Sequence, residues 1–76
     1  MSKYWVDIPD MHGSNLLDLS EVRLAYTVRR WSLWLLKIDM LSSKFVLEYR
    51  AKSTAVSAAE LLLVGLQALE KRADSE

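Results

Sequence analysis

Between Lys44 and Lys52 the chain alternates. Phe45, Leu47, Tyr49 and Ala51 fall on one side, and Lys44, Val46, Glu48, Arg50 and Lys52 on the other. A period of two is the mark of a strand. After Ser53-Thr54 the period changes. Ala55, Ala59, Leu62, Leu66 and Leu69 recur at helical spacing, flanked by Val56, Ala58 and Leu63. This predicts an amphipathic helix over 54–72, capped by Ser53 or Thr54. Burying the four largest side chains of that stripe contributes on the order of 6–10 kcal/mol before entropy is subtracted. The helix must therefore pack on the preceding strands or on another copy of itself. Residues 73–76 are expected to fray.

Upstream the pattern is less decisive. Tyr4, Val6 and Ile8 alternate weakly over 3–8 and stop at Pro9, which cannot donate to a ladder. Pro9 to Asn15 has the residue chemistry of a loop. From Leu16 to Leu41 two templates match. As a strand, Val22, Leu24, Tyr26 and Val28 face one way. As a helix, Leu24, Val28, Trp31, Leu35 and Ile38 form a narrow stripe, with Ser20 as its cap. The reading adopted is a short helix or irregular segment within 15–29, then a strand over 31–38. Asp39–Ser43 serves as a hairpin loop back to strand 44–52. One unbroken helix over 18–41 is the alternative.

The expected fold class is α+β: two layers, an antiparallel hairpin or small sheet packed by a C-terminal amphipathic helix. The alternative is a mostly α fold if 18–41 is one helix. Seventy-six residues make one domain, and a chain this short buries only about 60–65% of the surface its unfolded form exposes. It has no cysteine and a single histidine, so neither disulfides nor a two-histidine metal site can reinforce it. Self-association, as a homodimer, is the remaining common way to gain buried area. Hydrophobic residues make up 51% of the chain and glycine and proline are scarce, so an ordered core is expected. The longest uncharged run, Leu61 to Leu69, is far shorter than the ~20 residues of a membrane span. Asp7 interrupts the N-terminus before a signal-peptide core can form. No membrane association and a cytoplasmic location are therefore expected.

The net charge is zero but unevenly spread. Residues 1–21 carry −3, residues 22–52 carry +5, and the remainder carries −2. A basic middle between acidic ends bears on partners, not on fold.

Chemistry-bearing constellations are few. Asp7, Asp10 and His12 are carboxylate and imidazole groups of the kind that bind metals, but no second carboxylate–histidine spacing supports a site, and a polar loop around a proline turn is the reading adopted. Ser14, His12 and Asp18 hold the letters of a nucleophile triad, yet one loop does not readily adopt its geometry. With only Gly13 and Gly65 there is neither a nucleophile elbow nor a phosphate loop. No enzymatic activity, cofactor or metal is expected. Gly65 sits mid-helix, where glycine costs about 1 kcal/mol against alanine. It marks either close packing onto the chain's own sheet or a helix–helix contact between copies.

Binding remains. Arg29, Arg30 and Trp31, with Trp34, Lys37, Arg50 and Lys52, form the candidate partner-binding set: cations for an acidic partner and a tryptophan as anchor. Within a strand over 31–38 the two tryptophans fall on opposite faces, so one faces outward. The expected function is non-enzymatic, a protein–protein contact of an accessory or inhibitor protein. Phage-encoded inhibitors, anti-CRISPR proteins among them, share this size and style, although no motif carries that comparison. The alternative is a nucleic-acid-binding module using the basic segment 22–52. The order strand, strand, helix is also that of double-stranded RNA-binding domains. Those open their last helix on a lysine cluster, where this chain reads Ser53-Thr54-Ala55-Val56.

Overall fold

A computed structural model describes residues 4–74. In chain order the elements are β1 (Trp5–Asp7), β2 (Leu16–Asp18), a 3-10 turn (Leu19–Glu21), β3 (Val22–Arg30), β4 (Leu33–Met40), β5 (Lys44–Tyr49) and α1 (Lys52–Asp74). β1 and β2 form a two-stranded antiparallel sheet, and β3-β4-β5 a three-stranded antiparallel meander. The fold class is α+β, with the helix on one face of the meander. The described part of α1 runs to Asp74. Lys3 of the expected first strand, and Ser75 and Glu76 of the tail, lie outside the described residues.

The middle of the chain corrects two expectations. The short helix expected within 15–29 is limited to the 3-10 turn Leu19–Glu21, residues 22–30 are a strand, and no helix covers 18–41. The reason lies in β4. Leu36 and Ile38 face the helix and are fully buried, while Leu35 on the opposite face is buried as well. A strand apolar on both faces belongs inside a sheet, where side chains of the strands on either side help cover it. β5 supplies one edge and β3 the other. Val28 lies opposite Leu35, and Thr27 opposite Leu36. The strand 31–38 is shifted to 33–40, because Trp31-Ser32 is a two-residue turn between paired Arg30 and Leu33. Strand 44–52 ends at Tyr49, and Ala51 lies in the bend before α1. The helix opens at Lys52, ahead of the expected cap. The Thr54 hydroxyl donates to the Ala51 carbonyl instead of accepting from the first turn.

The core lies between the inner face of the meander and α1. Leu36, Ile38, Leu47 and Tyr49 meet Ala55, Ala58 and Leu62 there, and Ile8, Leu17 and Leu19 close it from the N-terminal side. Of the predicted helical stripe, Ala59, Leu66 and Leu69 pack at its margin, whereas Val56 and Leu63 are exposed. Gly65 is the crossing point of α1 over the 3-10 turn. A Cβ placed there would stand 2.8 Å from Leu19 Cδ1. The close packing is onto this turn and not onto the sheet.

Candidate binding site

The N-terminal loop is tied down by its own polar groups. Asp10 and Gly13 exchange two backbone hydrogen bonds, a tight reversal that puts Gly13 at a φ of 135°, a left-handed value suited to glycine. The Asp10 carboxylate accepts from the amides of His12 and Glu48 and from the Asn15 side chain. Burial raises its pKa, but these hydrogen bonds and the nearby His12 together outweigh burial and hold the carboxyl below its ordinary value. His12 Nε2 lies 2.6 Å from Glu48 Oε1, and Asp7 accepts from the Asn15 amide. The residues read as a possible metal set are thus engaged in fixing the loop. Among the described residues no three carboxylate, histidine or cysteine side chains gather as a metal site would need. Of the triad letters, Asp18 is buried and accepts from the amide and hydroxyl of Ser20, not from His12 or Ser14.

The basic residues behave differently. Arg29, Trp34 and Tyr49 lie in one cross-strand row, at the end of the meander where the β3–β4 turn and the β5–α1 turn both fall. Arg30 and Trp31 follow Arg29 into the first turn. Arg50 and Lys52 follow Tyr49 into the second. Six of the seven predicted partner-binding residues are therefore at one end of the sheet. Lys37 is not. It stands mid-sheet on the outer face, opposite Tyr26 and Val46.

The two tryptophans have separate roles. Trp34 faces α1, is half-buried, and carries the Lys52 ammonium 5.4 Å above its ring. Trp31 is at the hairpin tip, 89% exposed. Its φ is 60°. A two-residue hairpin turn demands such a value at its first position, and glycine or asparagine usually supplies it. No carboxylate occurs between residues 26 and 37 or between 49 and 59, so the two turns themselves carry only cations, with Asp10 and Glu48 beside Tyr49 as the nearby acids.

The structure presents two further surfaces. One is a groove of about 500 Å³ between the N-terminal loop and the start of α1, lined by Pro9, Met11, Tyr49, Ala51, Ala58 and Leu61. At its edge the Tyr49 hydroxyl donates to the Pro9 carbonyl at 2.6 Å. Burial, then the Asp10 charge, push the phenol pKa up to about 12. No local pattern pairs residues 9–11 with 49–61, so the groove had no signal in the sequence. The other is the outer face of the meander. Leu24, Tyr26 and Val46 are exposed there beside half-buried Val28 and Leu33. The strand template for 22–28 carried that signal. No helix among the described residues is long and apolar enough to cross a membrane. No protein-family model matches the chain, and neither the curated proteins nor the solved structures include a significant match.

Proposed function

We propose that this is a non-enzymatic binding protein that acts through protein–protein contact, with an acidic partner seated on the basic end around Trp31. The observation that carries the reading is Trp31 itself. A tryptophan 89% exposed adds little to the core, and a left-handed backbone at a bulky residue costs on the order of 1–3 kcal/mol. Folding gains nothing from such a residue there. A partner does, since an exposed tryptophan next to Arg29 and Arg30 in the chain has the composition of an interface hot spot. Arg29, Arg30, Arg50 and Lys52 would speed the encounter, and Trp31 would set its lifetime. An accessory or inhibitor role, of the phage anti-CRISPR kind, fits such a single-site docking protein.

The second partner assigned is another copy of the chain, paired through the outer face of the meander. Lys37 stands in the middle of that face between Tyr26 and Val46, and Asp39 and Glu48 on the same face would offer it a counter-charge from the other copy. Sedimentation at tens of micromolar is expected to show the dimer, and a persistent monomer of 8.7 kDa excludes it.

Nucleic acid is the second reading of the basic end, favoured by the cations Arg29 and Arg30 next to an exposed aromatic, Trp31. Salt separates the two. Binding to phosphates weakens steeply and linearly in log salt, with a slope set by the phosphates neutralised. A contact anchored on Trp31 weakens far less. The partner recovered from lysate is tested against Arg29→Glu/Arg30→Glu and against Trp31→Ala. Retained affinity in folded variants places the site elsewhere.

A further inference from the structure

The meander ends on β3, and among the described residues nothing pairs with the outer edge of that strand. An edge of nine residues is long for one left open, since unpaired N–H and C=O groups invite another strand. Beneath it lies a groove of about 350 Å³, lined by Val22, Arg23, Leu24 and Ala25 of β3 and by Ala59, Leu62, Leu63 and Leu66 of α1. The helix overhangs the sheet here. Leu63 is 53% exposed and Val56 is also exposed, both on the flank of α1 away from its buried stripe. The layer below has apolar side chains in place for a strand that the layer above does not contain.

We propose that β3 takes an extended, acidic segment of a partner protein as a fourth strand. The inward side chains of that segment fill the groove against Ala59 and Leu63. This deepens the reading of the basic end and rests on it. The argument for the occupant is charge. β3 carries Arg23, Arg29 and Arg30 and no acid. An added strand with carboxylates near its two ends meets Arg23 at one end and Arg29 and Arg30 beside Trp31 at the other. Apolar residues between them lie along Leu24, Tyr26 and Val28 on the outer face, as cross-strand pairs do. The main-chain ladder gives affinity, and the groove and arginines give choice of sequence. A second copy is the poorer occupant of this edge. Antiparallel pairing of all nine residues of β3 with themselves sets Arg23 against the Arg29 of the other copy, and does so twice.

The test needs no prior partner. Random octapeptides are selected on the intact protein, and the tightest are read out by amide hydrogen exchange. The expected peptides alternate apolar and polar positions and carry net negative charge. They protect the amides of β3, and Leu63→Glu weakens them by about tenfold or more, a loss of about 1.4 kcal/mol. N-methylation of alternate peptide amides should abolish the protection. The proposal is overturned if the selected peptides are basic or proline-rich. It is also overturned if they bind Leu63→Glu equally, or if β3 becomes protected by self-association or by a single-stranded oligonucleotide instead. If Leu63→Glu leaves binding unchanged while Trp31→Ala abolishes it, the basic end is the site and the edge is not. If both leave it unchanged, neither surface is used.

Discussion

Gly65 offers the sharpest test of the packing described above. Replacing it with alanine has two opposed effects. In a helix interior alanine is favoured over glycine by about 1 kcal/mol. Against this, the new Cβ stands 2.8 Å from Leu19 Cδ1, where ordinary contact begins at 3.4 Å, and Leu19 is buried. Overpacking of that kind costs about 1–3 kcal/mol. The net effect of Gly65→Ala is expected to lie between neutral and about 2 kcal/mol destabilising by those two terms. The three nearest atoms to the new methyl all belong to Leu19, which makes the conflict separable. In a Leu19→Ala background the clash is gone and only the helix preference remains. There the same substitution is expected to stabilise by about 1 kcal/mol, giving a coupling of about 1–3 kcal/mol between the two sites. Urea unfolding followed by far-UV circular dichroism, on all four proteins of the cycle, measures it. Leu19→Ala alone costs about 2–5 kcal/mol, so the cycle is run at the temperature of greatest stability. If Gly65→Ala has the same effect in both backgrounds, within about 0.5 kcal/mol, α1 does not cross the 3-10 turn at this point. The glycine then has another purpose, such as a contact between helices of two copies.

Other expectations follow from the same contacts. Leu62→Ala should lower stability by about 2–5 kcal/mol, because Leu62 is fully buried between α1 and the meander; an unchanged melting temperature rules that placement out. Asp10 has a lowered pKa in the folded chain, so its contribution is complete above the ordinary value of 3.8 and disappears as pH falls through the lowered one. Asp10→Asn should therefore flatten the acid limb of a stability–pH curve, and an identical limb in both proteins refutes the loop geometry. Tyr49 titrates the other way: its pKa rises from 10.0 to about 12, so stability it confers is complete below 10.0 and is lost as pH climbs toward the folded value. Tyr49→Phe should lack that alkaline loss, while costing about 0.5–1.5 kcal/mol at neutral pH through the bond to Pro9; equal alkaline limbs would count against the burial of this phenol.

The strand at 44–49 and the C-terminal helix were legible because each has a single unmixed period and stands next to the other. The stretch 16–41 was not, and the cause can be named. Arg30-Trp31-Ser32-Leu33 contains none of the glycine, asparagine or aspartate that usually marks a two-residue hairpin turn. Without that mark, one strand seemed to begin where two in fact meet. β4 is also apolar on both faces, so its run of Leu33 to Leu36 shows no alternation to distinguish strand from helix. The gathering of Arg29, Arg30, Trp31, Arg50 and Lys52 followed from the hairpin order, which places both turns at one end. Lys37 did not follow, since a residue mid-strand stays mid-sheet. The helix start was misplaced for a local reason. Thr54 bonds back to Ala51, an interaction that competes with capping.

The opposite margin of the meander is covered at Glu48 by a plug that is not a strand. Backbone groups of Glu48, on β5, are satisfied by the Asp10 carboxylate and by the Met11 amide, both delivered by the tight N-terminal loop. Such a plug is a kinetic guard whose strength depends on one acid. Once that acid is protonated or the loop swings away, β5 of one molecule is free to zip onto β3 of the next. The two margins differ, so this contact is head-to-tail and has no two-fold axis to close it. Growth would then be open-ended, and only a solution acidic enough to protonate Asp10, whose carboxyl is held below its ordinary value of 3.8, would favour it. The few hydrogen bonds at residues 10 and 11 thus cap one end of a sheet edge as well as shaping a loop.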